Sequence, residues 1–219
     1  MMDNKNIDQV VRILGREYKK HRTPVVTMIA LTKGDPFKVL ISCLLSLRTK
    51  DEVTAHAVQR LFSVADSPQE ISRLSKKRIE KLIYPVGFYK TKAGNMRRIC
   101  KELCDNYECR VPDEIDELLK FKGVGRKTAN LVVALGYGKE GICVDTHVHR
   151  ISNRLGYIKT KNPEATEFAL RAKLPKKHWK HYNDYLVSFG QHTCVPVSPW
   201  CSRCPIRKFC PRMGVAKSR

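Results

Sequence analysis

The chain has 219 residues, and its 42 lysines and arginines stand against 21 aspartates and glutamates, a formal surplus of +21. With 42% hydrophobic residues and unremarkable numbers of Gly and Pro, it is globular rather than disordered, and long enough for one large domain or two lobes sharing a core. The surplus calls for a polyanion, DNA or RNA before an anionic membrane, because no segment pairs a basic helix face with a strong apolar one.

Taken in chain order, the pattern is helical nearly throughout. Ile7, Val10, Val11 and Leu14 are spaced for one helix face. Asp35 and Pro36 read as a cap and a first-turn proline before an apolar helix over Phe37 to Leu47. Asp51 to Phe62 reads as the next helix. Ser67-Pro68-Gln69-Glu70 opens another, and Ser75 to Ile83 is short and basic. Gly87 interrupts the pattern, which resumes over Lys92 to Asn106. Helices are predicted over Asp113 to Phe121 and Arg126 to Leu135, with Gly123-Val124-Gly125 as the turn between them. Asp145 caps a helix running to Leu155, and Pro163 and Pro175 each stand near the start of a further one. No run alternates with period two long enough for a strand, so the class is all-α with short connections. Met1 to Asn6 is polar, and the longest strictly apolar run, Leu131 to Leu135, is far too short for a membrane span. A soluble intracellular chain is expected, cytoplasmic and nucleoid-associated in a prokaryote.

Nine cysteines are many for such a chain, and the odd count in a reducing compartment argues against a disulfide framework. Cys43, Cys100, Cys104, Cys109 and Cys143 are scattered and read as small core residues or ordinary thiols. The other four, Cys194, Cys201, Cys204 and Cys210, form C-x6-C-x2-C-x5-C. Four thiolates select zinc or an iron–sulfur cluster. Zinc sites more often use two knuckle pairs, whereas a single loop supplying all four ligands suits a cubane [4Fe–4S] cluster. Pro196, Pro199, Pro205 and Pro211 would stiffen the loop. Basic residues at Lys180, Arg203, Arg207, Lys208, Arg212, Lys217 and Arg219 would then face phosphate from a rigid platform.

Gly123 and Gly125 would let backbone N–H groups approach an anion, with the helix N-terminus behind them, a grip on phosphate that reads no base. A generic packing corner is the alternative. Lys127 starts that helix among Lys120, Lys122 and Arg126, where neighbouring charge and the helix dipole disfavour its proton and favour a nucleophilic amine. A lysine that only touches phosphate is the alternative. Asp145, in Val144-Asp145-Thr146-His147, needs no role beyond helix cap, yet its carboxylate could stabilise positive charge growing on a sugar. His147 reads as structural, with a DNA contact as its functional alternative.

Phe121-Lys122-Gly123-Val124-Gly125-Arg126-Lys127-Thr128-Ala129, Val144-Asp145-Thr146-His147 and the four-cysteine loop together resemble the helix-hairpin-helix DNA glycosylases, endonuclease III most closely, over nearly the whole chain. The resemblance implies a two-lobed all-α fold. A six-helix barrel lobe would span roughly residues 29–139, with its helix-hairpin-helix at about 113–135. Residues 1–28 and 140–219 would form a cluster lobe around a [4Fe–4S] loop at 194–210. It implies Lys127 and Asp145 as the catalytic pair and Cys194, Cys201, Cys204 and Cys210 as cluster ligands. Leu44 to Asp51 resembles the segment whose glutamine fills the gap left by a flipped base; here that position is Arg48. Gly87-Phe88-Tyr89 resembles the loop carrying an apolar wedge, making Phe88 the wedge. Gly123, Val124, Gly125, Arg126 and His147 complete the implied DNA contacts. Lys122 departs from the family's usual proline, and Arg48 leaves the opposite-base preference open. The implied activity is a bifunctional glycosylase and AP lyase of base excision repair, acting as a monomer on double-stranded DNA that carries damaged bases or abasic sites. A uracil or thymine mismatch glycosylase is the alternative on the same scaffold, and a non-catalytic iron–sulfur DNA-binding protein the alternative from another class.

Overall fold

A computed structural model describes residues 3–20 and 34–219, and these are helical with no strand among them. The chain divides into two compact units, one of Met1–Pro24 with Glu140–Arg219 and one of Val25–Lys139. Residue 29, where the barrel lobe was expected to begin, lies outside the described residues.

The contiguous unit is built around α2 (Pro36–Ser46). Asp35 accepts from the Phe37 and Lys38 amides, and Pro36 takes the first turn, where its missing N–H costs nothing. Phe37, Val39, Leu40, Ile41, Cys43, Leu44 and Leu45 are all buried, so most of α2 is apolar, as suits a helix enclosed by others, while Lys38 reaches out to Asp66. Around it stand α3 (Asp51–Phe62), α4 (Pro68–Arg73), α5 (Lys76–Ile83), α6 (Tyr89–Asn106), α7 (Ile115–Lys120) and α8 (Arg126–Leu131). α2 packs on α3, α6 and α8, while α4 and α5 lie along α6. One core cluster, from Phe37 to Val133, joins them.

Three expectations need correction here. α6 begins at Tyr89 rather than Lys92, because Phe88 enters it in the left-handed region with no capping side chain for the sequence to betray. The helix expected over Arg126 to Leu135 is α-helical only to Leu131, and Val132–Gly136 continues as a π turn. Cys104 and Cys109, read as separate thiols, are joined as a disulfide. After α6 the chain turns back through Glu108 (φ 52°) and Cys109 (φ 58°), with the Cys109 amide on the Leu103 carbonyl at 2.9 Å, which folds the second cysteine onto the first.

The second unit has α1 (Asn4–Tyr18), α9 (Thr146–Arg154), α10 (Pro163–Lys173) and α11 (Trp179–His192). The expected stripe Ile7, Val10, Val11 and Leu14 is buried, and α1 packs on α11, which also carries α9. Ile206, from within the cysteine loop, joins this core. No described helix is long and apolar enough to cross a membrane.

Candidate active site

In the contiguous unit, α7 and α8 are joined by a tight hairpin in which the Val124 amide donates to the Phe121 carbonyl at 3.0 Å. Phe121 and Val124 are buried and anchor the turn, so Val124 shapes the hairpin from inside. The two glycines differ. Gly123 has φ 98°, and a Cβ there would lie 2.8 Å from Asn95 Nδ2, so both backbone and space demand glycine. Gly125 has an ordinary φ of −104°, and a Cβ there would meet nothing within 4 Å. Its small size leaves open space before the first turn of α8, which no side chain caps. Arg126 and Lys127 occupy that turn, both half-buried. Lys127 comes near the end of α2: burial pushes the Cys43 thiol up to about 12, and the Lys127 ammonium acts against that rise.

Arg48 and Phe88 are brought together in the same unit. The Arg48 guanidinium lies 5.7 Å from the Phe88 ring centre, and both residues are exposed with positive φ, 53° and 58°. Left-handed backbone at two adjacent non-glycine residues is a costly arrangement that the surroundings must hold in place.

In the other unit, Asp145 caps α9 and accepts from the His147 amide at 2.8 Å and the Val148 amide at 3.0 Å. Its carboxylate is thereby fixed in orientation while remaining half-exposed. His147 Nδ1 lies 3.1 Å from Arg150 Nη2 and accepts from it, which leaves the ring proton of a neutral His147 on Nε2. Gly190 makes room for this pair, since a Cβ there would stand 2.3 Å from His147 Nδ1 and 2.9 Å from Arg150 Nη2.

Cys194, Cys201, Cys204 and Cys210 line one apolar cavity, with Ile151, Leu155 and Ile206 among its other walls. All four are half-buried and none is in a disulfide. Burial pushes the Cys204 thiol up to about 11, and both burial and the neighbouring cysteines raise Cys210. Thiols in this state stay protonated at neutral pH unless a cation replaces the proton. Among the described residues no three acidic, histidine or cysteine side chains are placed to hold a single metal ion. Four soft sulfur donors around one cavity have the chemistry to hold a thiolate-bound metal group. The loop is fastened to α9 by two arginines. Arg150 donates to the Cys194 carbonyl at 2.9 Å and to the Gly190 carbonyl at 3.3 Å. Arg154 donates to the Val195 and Pro196 carbonyls at 2.8 and 2.6 Å and to Cys194 Sγ at 3.4 Å. On the outside of the loop, the guanidinium groups of Arg203 and Arg219 lie 4.3 and 4.0 Å from the Trp200 ring centre, held as an exposed basic pair.

Residues 41–176 match the family model described as HhH-GPD superfamily base excision DNA repair protein. The chain belongs to this superfamily. The matched stretch contains the hairpin, Lys127 and Asp145, and ends before the cysteine loop. Among curated relatives, endonuclease III of Thermotoga maritima is 47% identical over 176 residues, covering 80% of this chain and 83% of that one. The chloroplastic endonuclease III homolog 1 of Arabidopsis thaliana is 42% identical over 184 residues, and the aligned part spans about half (48%) of that longer protein. Among solved structures, a trapped covalent intermediate of endonuclease III with DNA, in an estranged-adenine complex, aligns at TM-score 0.82 with 31% identity, covering 97% of each chain.

The HhH-GPD match contains the hairpin and both expected catalytic residues, but three residues that organise segments within the two units were not singled out from the sequence. Arg150 and Arg154 stand one turn apart on the helix that Asp145 caps, a spacing that puts both on one face. Lys92 falls in the apolar stripe of α6 with Met96, Ile99 and Leu103, and is buried with them. A lone lysine in a core stripe is the signal that could have marked it.

Proposed function

We propose that this chain is a bifunctional DNA glycosylase and AP lyase of base excision repair that removes damaged, oxidised pyrimidines through a lysine Schiff base. Residues 29–139 serve as the barrel lobe, and residues 1–28 with 140–219 as the cluster lobe of a monomer working inside the cell, on the nucleoid in a prokaryote. Two observations carry the reading, one in each unit. One is the tight hairpin with open space at Gly125 and half-buried Lys127 in the first turn of α8. The other is the Asp145 carboxylate fixed at the start of α9.

The hairpin amides around Gly123, Val124 and Gly125, with Arg126, grip backbone phosphate, and His147 adds a contact from α9. Arg48 and Phe88 enter the space of the extruded nucleotide. The Lys127 amine, deprotonated, forms a bond to C1′ while the C1′–N bond of the damaged base breaks, and the base leaves with that electron pair. Asp145 stabilises the positive charge on the sugar and assists removal of the lysine proton. Ring opening gives an imine, which acidifies the C2′ proton. Its loss expels the C3′ oxygen and breaks the strand on the 3′ side, and water then releases Lys127. A [4Fe–4S] cluster on Cys194, Cys201, Cys204 and Cys210 would supply rigidity to the loop.

The test is Lys127→Gln on a panel of duplexes with single lesions, each with G or A opposite. The variant should lose borohydride trapping and strand cleavage while DNA affinity and helical content persist. Cleavage of abasic duplex at the wild-type rate by this variant would overturn the assignment.

A further inference from the structure

The two loops that carry Arg48 and Phe88 meet beside one buried amine. Lys92, 9% exposed, sits one turn into α6. Its Nζ donates to the Leu45 carbonyl at 2.8 Å, the Leu47 carbonyl at 2.5 Å and Thr49 Oγ1 at 3.2 Å. Those three acceptors use all three ammonium protons and wrap the chain around the C-terminus of α2, immediately on either side of Arg48. Thr49 Oγ1 also accepts from the Gly87 amide at 3.1 Å, which ties the second loop to the first. At Gly87 a Cβ would lie 2.6 Å from the Arg48 carbonyl oxygen, so the loops meet there as closely as backbone allows.

No carboxylate pairs with Lys92 among the described residues, and burial pulls its amine down to about 8. An apolar side chain of the same length would fill the stripe of Met96, Ile99 and Leu103 without that penalty, so packing alone does not call for a lysine. What the ammonium does that methionine cannot is bind three oxygens from the turn that carries Arg48 while the same turn holds the loop that carries Phe88.

We propose that Lys92 is a positioning residue for base extrusion: its ammonium clamps the Leu45–Thr49 and Gly87–Phe88 segments together and so presents Arg48 and Phe88 as one preformed unit to the DNA stack. This rests on the assignment of those two residues to the space of the extruded nucleotide.

The experiment uses a lesion duplex with 2-aminopurine beside the lesion, whose fluorescence rises when stacking is lost. It compares wild type with Lys92→Met, Thr49→Val, Gly87→Ala, Arg48→Ala and Phe88→Ala. Lys92→Met should keep its helical circular dichroism and bind undamaged duplex within about twofold of wild type, since docking depends on phosphate contacts made elsewhere. Its fluorescence rise and single-turnover base removal should both fall about tenfold or more, the usual consequence of misplacing a positioned group. Thr49→Val, which removes one of the three acceptors of Lys92, and Gly87→Ala, which pushes the two segments apart, both leave the Lys92 side chain in place; they should reproduce the loss, and they carry the test if Lys92→Met does not fold. A wild-type fluorescence rise in folded Lys92→Met, or in both junction variants, overturns the clamp. If that happens while Arg48→Ala and Phe88→Ala lose the signal, the intercalating pair stands and only the clamp falls. If Arg48→Ala and Phe88→Ala keep the signal, the pair assignment falls and the clamp with it.

Discussion

Replacing Arg154 by methionine removes one of the two arginine ties between α9 and the cysteine loop while keeping the length of the side chain. Three contacts go: two to the Val195 and Pro196 carbonyls and one to Cys194 Sγ. A hydrogen bond from a charged donor contributes about 1.5–3 kcal/mol. Pro196 is exposed and Val195 half-exposed, so water replaces the lost donor there, and the contacts do not add. A net loss of about 2 kcal/mol is therefore expected, confined to the loop rather than the whole unit. At 1.4 kcal/mol per factor of ten, the loop should open about 30-fold more often. The assay is bleaching of the visible absorption of the proposed thiolate-bound cluster by an excess of chelator, which reads loop opening. Arg203→Met, on the outer face of Trp200, is the control and should change stability by no more than about 0.5 kcal/mol. Bleaching of Arg154→Met at the wild-type rate would refute the claim that this arginine holds the loop.

Asp145→Asn keeps an oxygen for the His147 and Val148 amides but loses the charge, so the fold should survive and base removal should slow by about 10² or more in single-turnover assays. Lyase action on a ready-made abasic site should suffer less, because no base has to leave; an equal loss in both steps would contradict the role given to the carboxylate. Gly190→Ala drives a Cβ into His147 and Arg150, and urea unfolding should show a loss of about 1–3 kcal/mol. An unchanged midpoint would mean that the two side chains swing aside freely.

Helical class, most boundaries and the caps were readable because they depend on local chemistry. Asp35, Ser67 and Asp145 accept from amides of their own first turns, and Ile7, Val10, Val11 and Leu14 bury the face their spacing defines. The early start of α6 was not readable, since Phe88 carries no capping group and the Gly87 before it packs against Arg48 and Thr49, far away in sequence. The Cys104–Cys109 bond was hidden for a related reason, as it depends on a turn built from two positive-φ residues that composition does not announce. Gly123 and Gly125 look alike in the sequence, and only the φ of each and the nearby Asn95 separate the one that must be glycine from the one that leaves space. For the cysteine loop, spacing identified the donors, but the arginines that orient it act through backbone carbonyls and leave no pattern in the loop itself.

The clamp at Lys92 makes a prediction about pH in which stability and function move in opposite directions. Burial is the sole cause of its lowered pKa, about 8 against an ordinary 10.5. Between those values the unfolded chain holds the proton and the folded chain releases it, so the unfolded state binds more protons and stability rises with pH. Below pH 8 both states are protonated, and the full penalty of burying the charge is present. The neutral amine, however, has two N–H donors for three oxygens, so the junction beside Arg48 loses one contact as pH passes 8. Wild type should therefore gain thermal stability relative to Lys92→Met from pH 8 to 10, while its advantage in 2-aminopurine fluorescence over that variant shrinks across pH 7 to 9.5. Taking the ratio to Lys92→Met cancels the titration of every other group common to both proteins. A fluorescence ratio that stays constant across this range would show that the charge on Lys92 does not hold the loops.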